Sequence, residues 1–167
     1  MTDLDQQNQL IHNYDLSNKW TIWFHHINDS NWNEDSYTKI KDITSIKDYY
    51  EVITYLDNIN AGMFFFMKDC IFPRWEDINN MDGGFWSFRV LKADANNVWK
   101  TLLAYTVGNT LTNKLEDMDE INGLSISPKI NNSIIKIWTK DASKNNINIF
   151  NKNIIETLGE ALYKKHE

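Results

Sequence analysis

The stretch PRWEDINNMDGGFW, residues 73–86, sets a tryptophan directly against a glutamate, Trp75-Glu76, and then runs through Gly83-Gly84 into a second tryptophan, Trp86. A core uses indole rings but not the carboxylate beside them. A carboxylate needs water or a partner, and a large neighbouring ring takes water away. The segment therefore reads as a loop that presents a flat surface and an anionic edge together. It leads into a strand at residues 85–91.

Outward from this loop the chain alternates strands and helices. Residues 20–27, WTIWFHHI, are aromatic and branched and read as a strand. A polar loop follows, NDSNWNEDS, with Trp32 stranded inside it. Residues 38–43 form a weaker, edge strand. Ser45 and Asp48 have the spacing of a helix-capping pair, and Ile46, Tyr49, Tyr50, Ile53 and Leu56 recur at helical spacing. Residues 62–66 and 85–91 read as strands flanking the opening strand. Asp94 is placed to cap a second helix carrying Val98, Trp99, Leu102 and Leu103, with Gly108-Asn109 as its stop. Residues 124–129 and 134–139 are short strands about an Asn131-Asn132 turn. Ile154, Ile155, Leu158 and Leu162 make a third amphipathic helix that ends in Lys164-Lys165. Short turns between strands make an antiparallel sheet. The expected fold is α+β, a curved antiparallel sheet with three helices on its convex face.

The 167 residues suffice for one domain, 14–167, preceded by a loose tail over residues 1–13. The formal charge of −6 argues against affinity for long nucleic acid, which depends on many cation–phosphate contacts, but not against recognition of one nucleotide by stacking. Cys70 is the single cysteine, so no disulfide framework exists. The polar start lacks the pattern of a signal peptide, and the longest apolar run, around Met63–Met67, is strand-sized. A soluble cytoplasmic monomer is expected.

Two rings stand out. Trp32 has little core to join, and Trp75 sits in a loop; a pair of such rings can clamp a planar ligand. Stacking of a base on one aromatic is worth about 1–3 kcal/mol, and a cationic ring adds up to about 2 kcal/mol when desolvated. Glu76 adds direction. A carboxylate accepts two parallel N–H bonds, and guanine alone among the common bases offers such a pair, at N1 and N2.

These residues carry a resemblance. Trp20-x-x-Trp23, Trp32, PRWED at 73–77, GGFW at 83–86, Trp99 with Leu102-Leu103 and Gly108, and IKIWT at 135–139 are similar in order and spacing to the eukaryotic translation initiation factor 4E family. Its members bind the 7-methylguanosine cap of messenger RNA. The resemblance runs from about residue 14 to the chain end. It implies that Trp32 and Trp75 sandwich the methylated base, Glu76 accepts from N1 and N2, and the Trp75 backbone N–H bonds O6. It also implies that Trp138 packs near the N7 methyl group and Lys129 meets the phosphates. Methylation makes guanine cationic, which strengthens the aromatic clamp. Trp20, Trp23, Trp86 and Trp99 are expected in core and framework.

The chain also departs from the family. A second phosphate-binding lysine is Ile134 here; Lys136 lies two residues along and points to the same face, and is the expected substitute. Phe85 stands where the family often has arginine, and Arg74 beside the clamp is the expected compensation. Nothing after the third helix matches the family's last strand and loop before the chain ends at Glu167, so a shortened sheet is expected. On the convex face the family holds a helical peptide from a scaffold factor or repressor. The matching positions are Leu16, Ile46, Tyr50, Lys100 and Ala104, and a lysine there implies an altered partner motif.

The remaining candidates are weak. His12, His25, His26 and His166 have no metal-ligand spacing, and His25-His26 on a strand point to opposite faces. Cys70 is expected as a small buried hydrophobe. Acid pairs such as Glu76-Asp77 and Glu116-Asp117 lack a supporting motif, and no P-loop or G-x-G-x-x-G occurs, so neither catalysis, metal nor cofactor is expected. The competing reading is a scaffold or competitor on the same fold with weakened cap binding. A nucleotide-hydrolysing enzyme ranks third.

Overall fold

The structure, a computed structural model, describes residues 14–56 and 58–167. The expected tail at residues 1–13 lies outside the described residues. Among the described residues seven strands form one antiparallel sheet in the order β2-β1-β3-β5-β6-β4-β7. They are β1 (Asp15–His26), β2 (Tyr37–Ser45), β3 (Gly62–Lys68), β4 (Gly84–Leu91), β5 (Ile121–Pro128), β6 (Asn132–Thr139) and β7 (Ala161–Lys165). Three α-helices accompany them, α1 (Ile46–Tyr55), α2 (Ala95–Val107) and α3 (Lys152–Leu158).

Alternation along the strands makes two faces of different use. Ile22, Phe64, Phe66, Phe88, Leu124, Ile126, Ile135 and Ile137 face the helices and pack with Tyr49, Val52, Trp99, Leu102, Leu103, Ile154 and Leu158 in the main core. All three helices contribute to this one cluster, so they cover one face of the sheet. Trp20 stacks on Phe66 within it, ring centroids 5.1 Å apart. Trp20, Trp86 and Trp99 are buried as expected, and Trp23 is half-buried. The other face carries a smaller cluster of Phe65, Met67, Ile71 and Trp138, with Trp23, Tyr37 and Met63 against it.

The capping pair forms as the spacing implies. Ser45 Oγ accepts the Asp48 N–H (3.2 Å), and the Asp48 carboxylate accepts the N–H groups of Thr44 and Ser45, each at 3.0 Å. Partial burial opposes ionisation of Asp48, but these bonds and the Lys41 ammonium outweigh it and hold the carboxyl far below its usual range.

Four expectations are corrected. The strand at 85–91 does not flank β1; only β2 and β3 do, while β4 lies across the sheet between β6 and β7. The third helix stops at Leu158, where Gly159 takes φ +76, a left-handed value that suits glycine and turns the chain back. Leu162 is therefore a strand residue, exposed on β7, and Lys164-Lys165 end a strand rather than a helix. Residues 161–165 pair with β4 from Phe88↔Ala161 to Gly84↔Lys165, so the sheet has its last strand and is not shortened. Cys70 is exposed, not buried, in a left-handed turn after β3 (φ 64).

Candidate functional site

The loop between β3 and β4 is built by polar groups that fold it on itself. The Asp77 carboxylate accepts the N–H of Phe72 (3.1 Å) and of Asn79 (2.8 Å). Asn80, fully buried, donates from Nδ2 to the carbonyls of Phe72 (3.0 Å) and Arg74 (2.8 Å), and its Oδ1 accepts from Asn122 of β5 (3.0 Å). This framework lifts Trp75 and Glu76 onto the rim. Gly83 closes the loop where a Cβ would meet the Thr139 carbonyl at 1.9 Å, so only glycine passes.

Trp32, Tyr37, Met63, Phe65, Pro73, Arg74, Trp75, Glu76, Lys136 and Trp138 line one cavity of about 220 Å³ on the face away from the helices. Thus Trp32 and Trp75, 43 positions apart in the chain, reach the same hollow with Glu76. Both indoles are about half exposed, 49% and 48%, an unusual state for rings of this size that have no large hydrophobic surface to share. Trp138 is buried beneath them; its Nε1 donates to Ser125 Oγ (2.9 Å), which fixes the ring.

Charge at the rim is paired. Arg74 Nη2 lies 3.2 Å from Glu76 Oε1, and its Nη1 lies 3.7 Å from Glu34 on the Trp32 loop. The Arg74 hydrogen bond holds the Glu76 carboxyl below its usual range. Arg74 thus bridges the two loops rather than projecting alone. Lys136 packs its ammonium over the Phe85 ring, 3.9 Å from the centroid, and burial lowers its pKa, with Lys129 and Lys164 adding to the effect. Lys136 and Ile134 share this face, as expected, opposite Ser87 and Arg89 of β4. Lys129 lies outside the cavity lining, in the β5–β6 turn, where its N–H donates to the Asn132 carbonyl (2.8 Å).

Several residues at the cavity escaped the sequence reading. Tyr37 opens β2 beside the Trp32 loop, and burial pushes its hydroxyl up to about 12. His25 is buried behind Trp32 while His26 is exposed, the opposite orientations expected of strand neighbours. Asp77 and Asn80 carried no signal that separates them from ordinary solvated loop residues.

His166 closes the floor. Its ring lies 5.0 Å from Trp138 and 5.6 Å from Phe85, and its backbone N–H donates to the Gly83 carbonyl (3.1 Å). Burial, then the Lys136 charge, lowers its pKa to about 4. An unfolded histidine titrates near ~6.5, so the neutral folded ring contributes stability that is complete above about pH 6.5 and disappears as pH falls toward about 4. Urea midpoints measured from about pH 7.5 to 4.5 should fall less steeply for His166→Phe than for the unchanged protein.

The expected partner positions lie on β1, α1 and α2. The Ile46 N–H donates to the Tyr14 carbonyl (3.0 Å), and Asn18 of β1 donates to Asn109 beyond α2 (3.1 Å). These bonds tie the start of β1, with half-buried Leu16, to the first turn of α1 and the end of α2. Tyr50 is exposed on α1, and Lys100 and Ala104 lie one turn apart on α2.

Among the described residues no group of three or more His, Cys, Asp or Glu side chains is placed to hold a metal, and no helix is long and apolar enough to cross a membrane. An antiparallel sheet backed by helices, with an aromatic hollow on its open face, places the molecule among α+β domains. The chain belongs to the eukaryotic initiation factor 4E family, whose model matches residues 15–167. It is 31% identical over 136 residues, 76% of the chain, to eukaryotic translation initiation factor 4E of Dictyostelium discoideum. It spans 52% of that relative's length and 59% of the length of Caenorhabditis elegans factor 4E-3. Its fold matches the solved complex of C. elegans eIF4E-3 with the 4E-binding protein Mextli and cap analog (TM-score 0.80, 22% identity, 92% of each chain). It also matches schistosome eIF4E complexed with m7GpppG and 4E-BP (TM-score 0.80, 20% identity, 92% of this chain and 89% of that one).

Proposed function

We propose that this protein binds the 7-methylguanosine cap of messenger RNA, without chemistry, and brings capped messages to translation initiation in the cytoplasm. One observation carries the reading: Trp32, Trp75 and Glu76 line a single hollow with Trp138 as its floor. Trp32 and Trp75 stack on the two faces of the base. Glu76 accepts from N1 and N2, and the Trp75 N–H bonds O6. Trp138 meets the N7 methyl group, and Lys136, Lys129 and Arg74 serve the phosphates. The solved relatives bound to Mextli and 4E-BP support a protein partner as well. On this chain a helical peptide would meet Leu16, Ile46, Tyr50, Lys100 and Ala104, with a motif suited to a lysine in the groove.

A second reading, a scaffold or competitor with weakened cap binding, has one observation in its favour: Arg74 already engages Glu76. Tryptophan fluorescence titration separates the two. The cap reading expects 7-methyl-GTP to bind about fivefold to thirtyfold tighter than GTP, because the cationic ring gains roughly 1–2 kcal/mol between two indoles. An equal response to both nucleotides would favour the scaffold.

A further inference from the structure

His25 is 1% exposed, and the binding roles above make no use of it. It sits on β1 between Met63 of β3 and Tyr37 of β2. Its ring lies parallel to Trp32, with an interplanar angle of 2° and centroids 4.0 Å apart. Tyr37 meets it edge-on at 5.0 Å. Its Nε2 is 2.8 Å from the Asn31 carbonyl oxygen. A carbonyl only accepts, so Nε2 carries the proton and the ring is held in one orientation.

Trp32 has few other means of staying in place. It stands on a polar loop with about half its surface exposed. The loop is closed by short-range bonds, from the Asn31 N–H to Asp29 (2.8 Å) and from the Asn33 N–H to the Asn31 side chain (2.9 Å). Those bonds shape the backbone but leave the indole torsions open. The buried imidazole packs flat against the indole, while Tyr37 meets it only edge-on, with centroids 6.3 Å apart. The imidazole covers one face of Trp32 while the indole lines the cavity.

We infer that His25 is a positioning residue that stacks on the rear face of Trp32 and holds the indole in its ligand-ready plane before any base arrives. This rests on the reading of Trp32 as a stacking surface. A flat ring is needed to match the indole, and the N–H that reaches the Asn31 carbonyl adds an anchor to the loop; histidine supplies both. Apparent affinity scales with the fraction of molecules already in the competent arrangement. If removing the imidazole leaves about one molecule in ten with the indole in place, 7-methyl-GTP binding weakens about tenfold.

The test is a cycle of His25→Ala, Trp32→Ala and the double variant, with His25→Phe as the conservative replacement. His25→Ala should weaken 7-methyl-GTP binding about tenfold, and His25→Phe, which keeps a flat ring, should restore most of it. In the Trp32→Ala background His25→Ala should cost little more, because the residue acts through the indole. The same cycle is read without ligand by near-ultraviolet circular dichroism. The His25→Ala difference spectrum should be present with Trp32 and vanish without it. That arm stands even if no cap analogue binds. Equal losses with and without Trp32, or a difference spectrum that survives Trp32→Ala, would overturn the inference.

Discussion

Replacing Trp75 by alanine should weaken binding of 7-methyl-GTP by about a hundredfold to a thousandfold. Stacking of one base face on an indole is worth about 1–3 kcal/mol, and the positive charge of the methylated ring adds up to about 2 kcal/mol in a desolvated site. A combined loss of about 3–4 kcal/mol gives the stated range. The fold should not suffer. Trp75 is about half exposed, and Asp77 and Asn80 organise its loop through bonds that do not involve the indole. Surface substitutions of this kind usually change stability by less than about 0.5 kcal/mol. Isothermal titration calorimetry reads the affinity without relying on the deleted fluorophore, and the urea midpoint serves as the control. Unmethylated GTP should lose less than 7-methyl-GTP, because it never gains the charge contribution. An unchanged affinity, with the midpoint also unchanged, would remove Trp75 from the site.

The two faces of the sheet explain why site and fold separate so cleanly. Phe64 and Phe66 point into the helix-backed core, while Phe65 between them faces the cavity. The strands that build the core therefore also supply the cavity wall, with opposite side chains. Truncating a rim residue leaves the core intact, whereas a substitution at Phe66 would strike the stacked Trp20.

Much of this was legible because the informative residues are large and oddly placed. A tryptophan between asparagines and a tryptophan beside a glutamate contradict the usual segregation of apolar and polar groups. Such contradictions tend to mark function. The strand at 20–27 and the Ser45-Asp48 cap were legible because both depend on local chemistry. What failed was non-local. Residues 154, 155, 158 and 162 fit a helical repeat, and a lone glycine inside a helical pattern costs only about 1 kcal/mol, so Gly159 did not demand a break. The exposed edge of β4, which Ala161–Lys165 covers, exists only once the sheet is assembled. The placement of β4 far from β1 was hidden for the same reason, since pairing partners leave no mark on either strand alone. The supporting residues were equally silent. Asp77, Asn80 and His25 act through particular bonds and stacking contacts, and polar loop or strand residues without those roles look the same in a sequence.

Glu76→Gln should reduce affinity for 7-methyl-GTP by about thirtyfold to three-hundredfold while leaving stacking intact. The carboxylate is the rim group able to accept two parallel N–H bonds from guanine N1 and N2. Charge-assisted bonds of this type contribute about 1.5–3 kcal/mol each. Glutamine keeps one acceptor but turns a donor toward the base, so part of the pairing becomes a clash of donors. The loss is capped by what Glu76 already does in the free protein. Arg74 reaches it from Nη2 (3.2 Å) and Nε (3.4 Å), a guanidinium edge that offers the same pair of N–H groups a guanine would. Base binding therefore exchanges one paired edge for another. The Arg74–Glu76 contact at the rim is a weak, solvent-screened pair, so the exchange favours a desolvated base over a solvated arginine. The same geometry fixes the selectivity. Adenine has no adjacent N–H and NH₂ on that edge, so 7-methyl-ATP should bind the unchanged protein weakly and respond little to Glu76→Gln. Calorimetry with both nucleotides on both proteins gives the four affinities required. If Glu76→Gln weakens the adenine and guanine ligands equally, the carboxylate is a general electrostatic contact and does not read the base edge.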